Sequence, residues 1–403
     1  MPQNTRLIAL INAAHAATHY ALLVLPTAVL AMARPDGAFG DAYGPILALA
    51  TIGFVLYGAF ALPQGWLAQR VGRAALMAVF FFGTGLSMVA TGFSNSPVAL
   101  AAAIGATGLF AAIYHPVGTA MLVDAAGDRP GRALGTNGVF GNIGVGLAPA
   151  ATALLAGYAG WRAAFVVPGA ICALLGVLWL RLPAPEATPK RATQSFPDIP
   201  RDLVRRAVVV LLAIAVVSGL VFNAFTILLP KLIEERLGGD PRLLPIVGVG
   251  AFLTMLCGAA TQFTVGRMID RTTLKRIFLP VSAVLVPGLV AVSYVQGWLV
   301  LPVAAVVAAS IFGQVTVNET MTARYISPAL RTRMYSIRFF VGFLGAAAAA
   351  PLVAWLHERT GSLASATLAM AALGVVILLC ALAFPDREEE LNPALWQAPA
   401  AAE

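Results

Sequence analysis

The sequence is short of charged residues. Of its 403 residues only 26 are basic and 18 acidic, which is 11% of the chain, while 59% are apolar and the mean hydropathy is +0.84. Soluble domains carry about 25% charged residues, so these charges are too few to cover the surface of a soluble protein of this length. The shortage excludes a soluble globular protein and indicates a protein embedded in a lipid bilayer.

Cysteine and lysine are scarce as well. Cys172, Cys257 and Cys380 lie far apart in apolar stretches without C-x-x-C spacing, so we interpret them as small core residues and not as disulfide partners or metal ligands. None of the lysines follows a glycine, which excludes a phosphate-binding P-loop, and the H-E-x-x-H and G-x-S-x-G motifs are missing. The sequence therefore predicts no enzyme, no metal and no cofactor.

Long apolar stretches recur along the whole chain. A hydrocarbon core of about 30 Å needs about 20 apolar residues in a helix, and a backbone in lipid must satisfy its own hydrogen bonds. The first stretch is too long for a signal peptide, and we expect it to be retained. The predicted fold class is an all-α membrane protein with twelve transmembrane helices, numbered in chain order: 7–31, 45–68, 74–93, 97–123, 133–157, 162–182, 207–232, 242–265, 277–296, 298–325, 333–357 and 362–384.

The distribution of lysine and arginine predicts the orientation of these helices. With the N-terminus in the cytoplasm, the loops on that side hold 20 of the 26 basic residues and the opposite loops hold 6. Cytoplasmic loops are enriched in these residues, so we expect both termini in the cytoplasm of a multi-pass bacterial inner-membrane protein. A chain with a pI near 9.8 could also bind nucleic acid, but its charges sit on short loops, and we expect no nucleic-acid partner.

Two pairs of similar segments indicate an internal duplication. GWLAQRVGR begins at Gly65 and GRMIDRTTLKR at Gly266, while GLAPAATALL contains Pro149 and AAAAPLVAWL contains Pro351. The offsets are 201 and 202 residues. Duplicated halves around a central cavity are typical of secondary transporters. The predicted organisation is an N-terminal six-helix bundle (1–182), a cytoplasmic linker (183–206), a pseudo-symmetric C-terminal six-helix bundle (207–384) and a cytoplasmic tail (385–403).

The first of these segments resembles a loop motif of the major facilitator superfamily, G-x-x-x-D-R-x-G-R, which lies between spans 2 and 3 of that family. The matching positions are Gly65, Arg70, Gly72 and Arg73 in the first copy and Gly266, Asp270 and Arg271 in the second. The resemblance covers residues 7–384 and implies a motif glycine that admits close helix approach and arginines that hold a cytoplasmic gate. Gln69 replaces the motif's acid, so Asp124 or Asp128 could take its place.

Within that superfamily the chain is most similar to the fosmidomycin-resistance group of drug exporters. The resemblance rests on AHAATHYALLVLP in span 1 and on YHPVGTAMLVDAAGDRPGRALGTNGVFGNIGVGLAP across spans 4 and 5. Members of the group carry arginines where this chain has Ala120 and Val123, which argues against a phosphonate substrate. The end of span 5, Gly146 to Pro149, partly resembles the superfamily's antiporter motif and favours efflux. The glycines at 138, 141, 144 and 146 and Asn142 predict close helix packing.

The resemblance also implies that spans 1, 4, 7 and 10 line the central cavity. Polar residues within spans are costly if they face lipid and are therefore candidates for function. Asn12, His15 and His19 share one face of span 1, because they are three or four residues apart. The candidate substrate or proton pathway consists of Asn12, His15, His19, Tyr114, His115, Asn223, Thr226, Gln314, Asn318, Glu319 and, at the start of span 11, Arg338.

Structural alternatives exist for these candidates. The three histidines could instead form helix-to-helix or backbone hydrogen bonds. Glu319 lies about 9 Å from the inner end of its helix, close enough for its carboxylate to snorkel to the membrane surface. Arg338 is expected at a similar depth and could pair with Glu319. Burial would raise the proton affinity of the Glu319 carboxyl, and a nearby arginine would lower it. If this balance changes as the transporter opens to one side and then to the other, the acid could take up a proton in one state and release it in the other.

These features predict a secondary active transporter, monomeric, in which protons drive the export of a small, partly apolar compound or drug. Proton-coupled uptake of a small organic anion is the alternative among transporters. A non-transporting membrane assembly or sensor protein with the same fold is an alternative of a different class.

Overall fold

The structure is a computed structural model that describes residues 3–34, 39–125, 130–182, 199–269, 271–326 and 328–388. None of these residues forms a β-strand, and twelve helical stretches among them are long and apolar enough to cross a membrane. The fold class predicted from the sequence is confirmed. The spans are Thr5–Met32, Tyr43–Ala61, Arg73–Gly92, Pro97–Leu122, Gly135–Ala159, Ala163–Leu180, Arg201–Arg236, Pro241–Ile269, Leu274–Tyr294, Gly297–Thr322, Phe340–Thr360 and Ala364–Ala383, numbered 1 to 12.

Several spans are built from more than one helical segment. Span 1 consists of Gln3–Leu23 and Leu25–Met32, with Pro26 at the start of the second segment, where proline is tolerated because its missing N–H has no helical partner. Span 2 consists of Tyr43–Ala48 and Ala50–Ala61, and a short helix, Gln64–Val71, follows it. Span 5 lies within the helix Pro130–Ala159, span 10 within Val300–Tyr325 and its preceding turn, and span 11 within Pro328–Thr360.

Span 4 changes its winding where it bears His115. The α-helix Pro97–Ala111 gives way to a π-helical turn, Tyr114–Gly118, before the helix Thr119–Ala125. Pro116 lies inside this turn, and proline lacks the N–H needed for the regular α-helical ladder. Such π-turns in helices frequently occur at functional sites. The turn therefore marks His115 and Tyr114 as residues held by an irregular backbone.

The helix contacts repeat between the two halves of the chain. Spans 1 and 5, 2 and 4, 3 and 4, and 3 and 6 pack together in the first half, and spans 7 and 11, 8 and 10, 9 and 10, and 9 and 12 do so in the second. The halves join through spans 5 and 8 and through spans 2 and 11. Each of these four contacts in the first half therefore has its counterpart six spans later, as expected for a duplicated bundle with a pseudo-two-fold axis.

The ends of the spans lie on two sides of the bundle, which we call outer and inner after the orientation predicted from the sequence. The outer side holds residues 33–34 and 39–42 and the loops at 160–162 and 237–240. The inner side holds the loops at 72 and 271–273 and the residues at 181–182 and 199–200, which flank the linker between the halves. The outer segment of span 1, Leu25–Met32, also contacts span 7. The halves are thus additionally joined near the outer side.

Candidate functional site

Asn137 of span 5 connects spans 1 and 4 inside the N-terminal half. Its side-chain Nδ2 donates to Asn12 Oδ1 at 2.8 Å, and its Oδ1 accepts from the Tyr114 hydroxyl at 2.9 Å. Its backbone carbonyl lies 2.7 Å from His15 Nδ1. All four residues are buried. Asn137 therefore uses its side chain and its backbone to hold three of the residues that the sequence assigned to the pathway.

His15, His19 and His115 form what we call the histidine cluster. His19 Nε2 lies 3.2 Å from His15 Nε2, and the ring centroid of His115 lies 5.1 Å from that of His15 and 5.7 Å from that of His19. The Tyr114 ring stacks on His15 with centroids 4.9 Å apart. The structure thus brings the candidate residues of spans 1 and 4 into one group.

Span 5 makes room for this group with a glycine. A Cβ added at Gly141 would lie 2.6 Å from the ring of His15, which is closer than real contacts allow. Gly144 likewise packs against the backbone of Ala16. The expected close packing holds at these two positions, whereas it is wrong for Gly138, which has open space around it. Small residues let neighbouring helices approach in membranes, and here they place the His15 ring beside span 5.

The second polar group lies in the C-terminal half, around the inner end of span 10. Arg338 Nη2 lies 3.3 Å from Glu319 Oε1, and Arg338 Nη1 donates to Thr322 Oγ1 at 2.6 Å. The Glu319 side chain is 51% exposed and that of Arg338 only 12%. A buried guanidinium is costly without a partner, so the arginine depends on this contact more than the acid does. The pairing of Glu319 with Arg338, which the sequence could only suggest, is present in the structure.

Gln314 and Asn318 precede this pair along the same helix, and both are buried. Gln314 Oε1 accepts from Ser218 Oγ of span 7 at 3.3 Å. Gln314 Nε2 and Asn318 Oδ1 have no hydrogen-bond partner among the described residues. An unsatisfied buried polar group costs about 1–3 kcal/mol, so a polar group of a bound compound or a water would be favoured beside these two amides.

The candidates of span 7 are not brought into either group by hydrogen bonds. Asn223 Nδ2 donates to the Gly219 carbonyl, and Thr226 Oγ1 donates to the Phe222 carbonyl, each at 2.8 Å within its own helix. Polar side chains commonly satisfy themselves this way inside helices. The role of Asn223 and Thr226 in the pathway stays a prediction from the family resemblance.

The inner loop motif forms part of the expected ion-pair network. Arg73 Nη1 donates to Asp124 Oδ2 at 2.6 Å, so Asp124 supplies an acid that Gln69 cannot. Arg70 lies over the ring of Trp66, 4.0 Å from its centroid. Gly72 has φ of +88°, a backbone conformation that favours glycine. The glycine at this position of the motif is therefore required by the turn between span 2 and span 3.

The expectation for Gly65 is wrong in this structure. A Cβ at Gly65 would meet no atom within 4 Å, and one at Gly266 would meet only the Thr316 methyl group at 3.9 Å. Neither glycine lies at a close helix approach, because neither has another helix packed tightly against it. Arg271 is exposed, and Asp270 and Asp128 lie outside the described residues.

Polar contacts close the outer side between the halves. Glu358 Oε1 of span 11 accepts from the backbone N–H of Gly44 at 3.2 Å, and the Tyr43 and His357 rings meet at 5.0 Å. Glu235 lies 3.0 Å from His357 Nε2 and continues this network into span 7. The predicted span 7 ended at residue 232, whereas its helix continues to Arg236 and includes Glu234 and Glu235.

The sequence also did not predict two contacts of span 5: a hydrogen bond between the two halves, and the bonds of Asn137 in the candidate site. Asn142 Nδ2 of span 5 donates to Gln262 Oε1 of span 8 at 2.7 Å, which joins the halves by a direct hydrogen bond. Asn137 is an amide within the predicted apolar span 133–157, and that is the signal in the sequence that could have marked it as a site residue. Ser218 and Thr322 are small hydroxyl residues whose partners depend on the packing of other helices.

The chain is similar to known transporters. The profile of the Major Facilitator Superfamily matches residues 16–258, and no curated relative matches the chain. A bacterial homolog of the human lysosomal transporter Spinster in its inward-facing, occupied conformation is 13% identical over 95% of this chain and 96% of that one, with a TM-score of 0.74. A mutant of the nucleoside transporter NupG is 12% identical over 95% and 99%, with a TM-score of 0.74. At these identities the solved structures support the fold alone.

Proposed function

Because the chain belongs to the Major Facilitator Superfamily, we propose that it is a proton-coupled secondary active transporter that exports a small, partly apolar compound. Its family indicates a transporter rather than an enzyme. The resemblance of spans 1, 4 and 5 to the fosmidomycin-resistance exporters, which rests on the sequence alone, supports export. Location in a bacterial inner membrane, with both termini in the cytoplasm, belongs to the same proposal, and the distribution of basic residues supports that orientation.

The observation that carries the coupling proposal is the pair of Glu319 and Arg338. The carboxylate is half exposed, so a proton can reach it, while the guanidinium is largely buried. When Glu319 is protonated, its charge attraction to the Arg338 guanidinium is lost, while the hydrogen bond from Arg338 to Thr322 can remain. The balance of contacts around this largely buried guanidinium therefore changes with the proton. Protonation would therefore favour a rearrangement of spans 10 and 11 around Arg338.

The surroundings of this pair support a partly apolar substrate. The amides of Gln314 and Asn318 have unused hydrogen-bonding atoms among the described residues. On the same helix, Phe312 packs against Phe222 of span 7 with ring centroids 5.3 Å apart. Through Ser218 and Phe222, span 7 thus contacts both a polar and an aromatic side chain of span 10, and a compound with an apolar ring and a few polar groups would find partners of both kinds between these two helices. Pockets for small molecules generally combine apolar walls with a few polar groups in this way.

Inward movement of protons could drive either export or uptake of the substrate. Moving one proton inward down a potential of 100 mV supplies about 2.3 kcal/mol. Uptake of a small organic anion is favoured by one observation, the buried guanidinium of Arg338, which could bind a carboxylate in place of Glu319. Export and uptake are separated by the direction of substrate movement when protons flow inward.

The proposal is tested in two steps. Cells with and without the protein are first screened for altered sensitivity to small drugs, which supplies a substrate. The purified protein is then placed in liposomes with an imposed pH gradient, and accumulation of that compound is measured together with internal pH. We expect accumulation against the concentration gradient, driven by proton movement. Absence of any substrate-linked proton flux would favour a non-transporting role.

Replacing Glu319 by glutamine tests the coupling residue. We expect Glu319→Gln to abolish proton-driven accumulation and to retain exchange of substrate down its gradient, because the neutral amide cannot gain or lose the proton. Glu388→Gln is the matched control, since Glu388 forms an ion pair with Arg276 at 2.8 Å but is 76% exposed. A Glu319→Gln protein that still concentrates substrate, with an unchanged dependence on pH, would make this acid a residue that only snorkels to the membrane surface.

A further inference from the structure

Three histidines from two helices gather around one point. His15 and His19 lie one turn apart on span 1, His115 lies on the π-helical turn of span 4, and one ring nitrogen of each lies within 4.8 Å of the other two. We propose that the histidine cluster binds a divalent transition-metal cation of the zinc class. The proposal is independent of the direction of transport and of any role of Glu319.

The spacing of the nitrogens fits such an ion. Zinc binds imidazole nitrogen at about 2.0–2.1 Å, so two nitrogens on one tetrahedral ion are separated by about 3.3 Å. His15 Nε2 and His19 Nε2 are 3.2 Å apart. Bringing the third nitrogen from at most 4.8 Å to the same spacing needs a movement of about 1.5 Å. A rotation of the His115 side chain on its irregular turn can provide that movement.

The surroundings of His15 prepare it to be a ligand. A carbonyl oxygen can only accept a hydrogen bond, so the 2.7 Å contact with the Asn137 carbonyl requires the proton on His15 Nδ1. His15 Nε2 is then left with its lone pair directed at the cluster. Metal-binding histidines usually donate their other N–H to a carbonyl or carboxylate in this manner. Asn137 is itself held by Asn12 and Tyr114, which fixes the carbonyl.

The composition of the cluster selects the metal. Imidazole suits zinc, copper and nickel, whereas calcium and magnesium require oxygen ligands, which these three side chains do not supply. Three histidines leave a fourth position of a tetrahedral ion open. The Tyr57 hydroxyl is buried and has no hydrogen-bond partner among the described residues, and the Tyr57 ring centroid lies 6.3 Å from that of His115. Water held near Tyr57 could complete the coordination.

The test measures zinc binding to the full-length protein. An affinity tag of histidines would bind the same ions, so the tag is removed, the protein is stripped with a chelator, and Zn²⁺ is titrated by calorimetry. We expect one ion per chain. His19→Gln should weaken binding by more than about 100-fold, because even loss of an outer hydrogen bond to a metal ligand typically costs 10- to 100-fold. The matched control is His357→Gln, which alters the histidine bonded to Glu235 on the outer side and should leave binding unchanged.

A second variant keeps the test decisive if His19→Gln folds poorly. His19→Cys, in protein whose Cys172, Cys257 and Cys380 are replaced by alanine, is loaded with Co²⁺. A thiolate that binds cobalt produces a charge-transfer band in the near ultraviolet, which we expect in this variant and not in the same background with His19 retained. The proposal is overturned if the stripped wild-type protein binds no Zn²⁺, if His19→Gln binds it as tightly as wild type, or if the cysteine variant binds Co²⁺ without the band.

Discussion

Replacing Asn137 with alanine removes a side chain that joins three helices. Asn137→Ala withdraws the donor that Asn12 Oδ1 uses and an acceptor that the Tyr114 hydroxyl uses, at 2.8 and 2.9 Å. The backbone carbonyl that contacts His15 remains. The variant therefore separates the side-chain hydrogen bonds of this residue from its contact with the histidine cluster.

Two estimates bracket the loss of stability. Interhelical hydrogen bonds in membrane proteins contribute about 0.6 kcal/mol on average, so two bonds give a lower value near 1 kcal/mol. A buried polar group that loses its partner costs about 1–3 kcal/mol, which gives a higher value when two groups are affected. Because Asn12 and Tyr114 are both buried, we expect a decrease in the free energy of unfolding of roughly 1–4 kcal/mol.

The assay is equilibrium unfolding in mixed micelles, followed by circular dichroism as a denaturing detergent is added. Asn142→Ala is the matched control in the same span, since Asn142 makes one part-buried hydrogen bond, to Gln262. We also expect the effects of Asn137→Ala and Tyr114→Phe to be less than additive, because both remove the same bond. A change below about 0.5 kcal/mol for Asn137→Ala, as at an ordinary surface position, or strict additivity with Tyr114→Phe, would refute the reasoning.

Two further predictions concern the inner side and the cavity. Gly65→Leu should leave the free energy of unfolding within about 0.5 kcal/mol of wild type, because a side chain there meets open space. The same variant should abolish transport if the inner loops converge when the inner side closes. Normal transport at equal expression in the membrane would contradict this. In a protein without native cysteines, His15→Cys or His19→Cys should react with a water-soluble thiol reagent in at least one transport state. The control Leu174→Cys, at an exposed position of span 6, should not react. Failure of both histidine positions to react would show that this face of span 1 is closed to water.

The fold was predictable because membrane spans depend on composition, which a sequence displays directly. The twelve predicted stretches correspond to the twelve spans found among the described residues, and their ends differ by up to seven residues. Some of these differences arise where a helix continues beyond its apolar part. Span 7 is the example: Glu234 and Glu235 interrupt the hydrophobic pattern, yet both remain in the helix that ends at Arg236. Polar contacts with Lys231 and His357 satisfy these acids, and no pattern along span 7 alone could indicate His357 as a partner.

The candidate site was predictable in its residue types and incompletely in its contacts. The spacing of Asn12, His15 and His19 gives a shared helix face, but it does not say which helix faces it. Asn137 and Asn142 are two amides in one glycine-rich span, and only the packing shows that the first contacts spans 1 and 4 while the second contacts span 8. The Gly65 expectation failed for a related reason, since a glycine in a motif does not say whether another helix packs against it, and here none lies within 4 Å of its Cβ position.

The two halves differ in the kind of polar group that they hold. In the N-terminal half, span 1 is tied to span 5 through amides, a carbonyl and imidazoles, and Asn137 is their common partner. In the C-terminal half the corresponding span 7 bonds Asn223 and Thr226 to its own carbonyls, and the charged pair lies instead between spans 10 and 11. A hydrogen bond between neutral groups is directional and short in range, whereas an ion pair also responds to protonation. We infer that proton coupling belongs to the C-terminal half and that the histidine cluster supplies coordination, so Glu319→Gln and His19→Gln should impair separable properties of the same transporter.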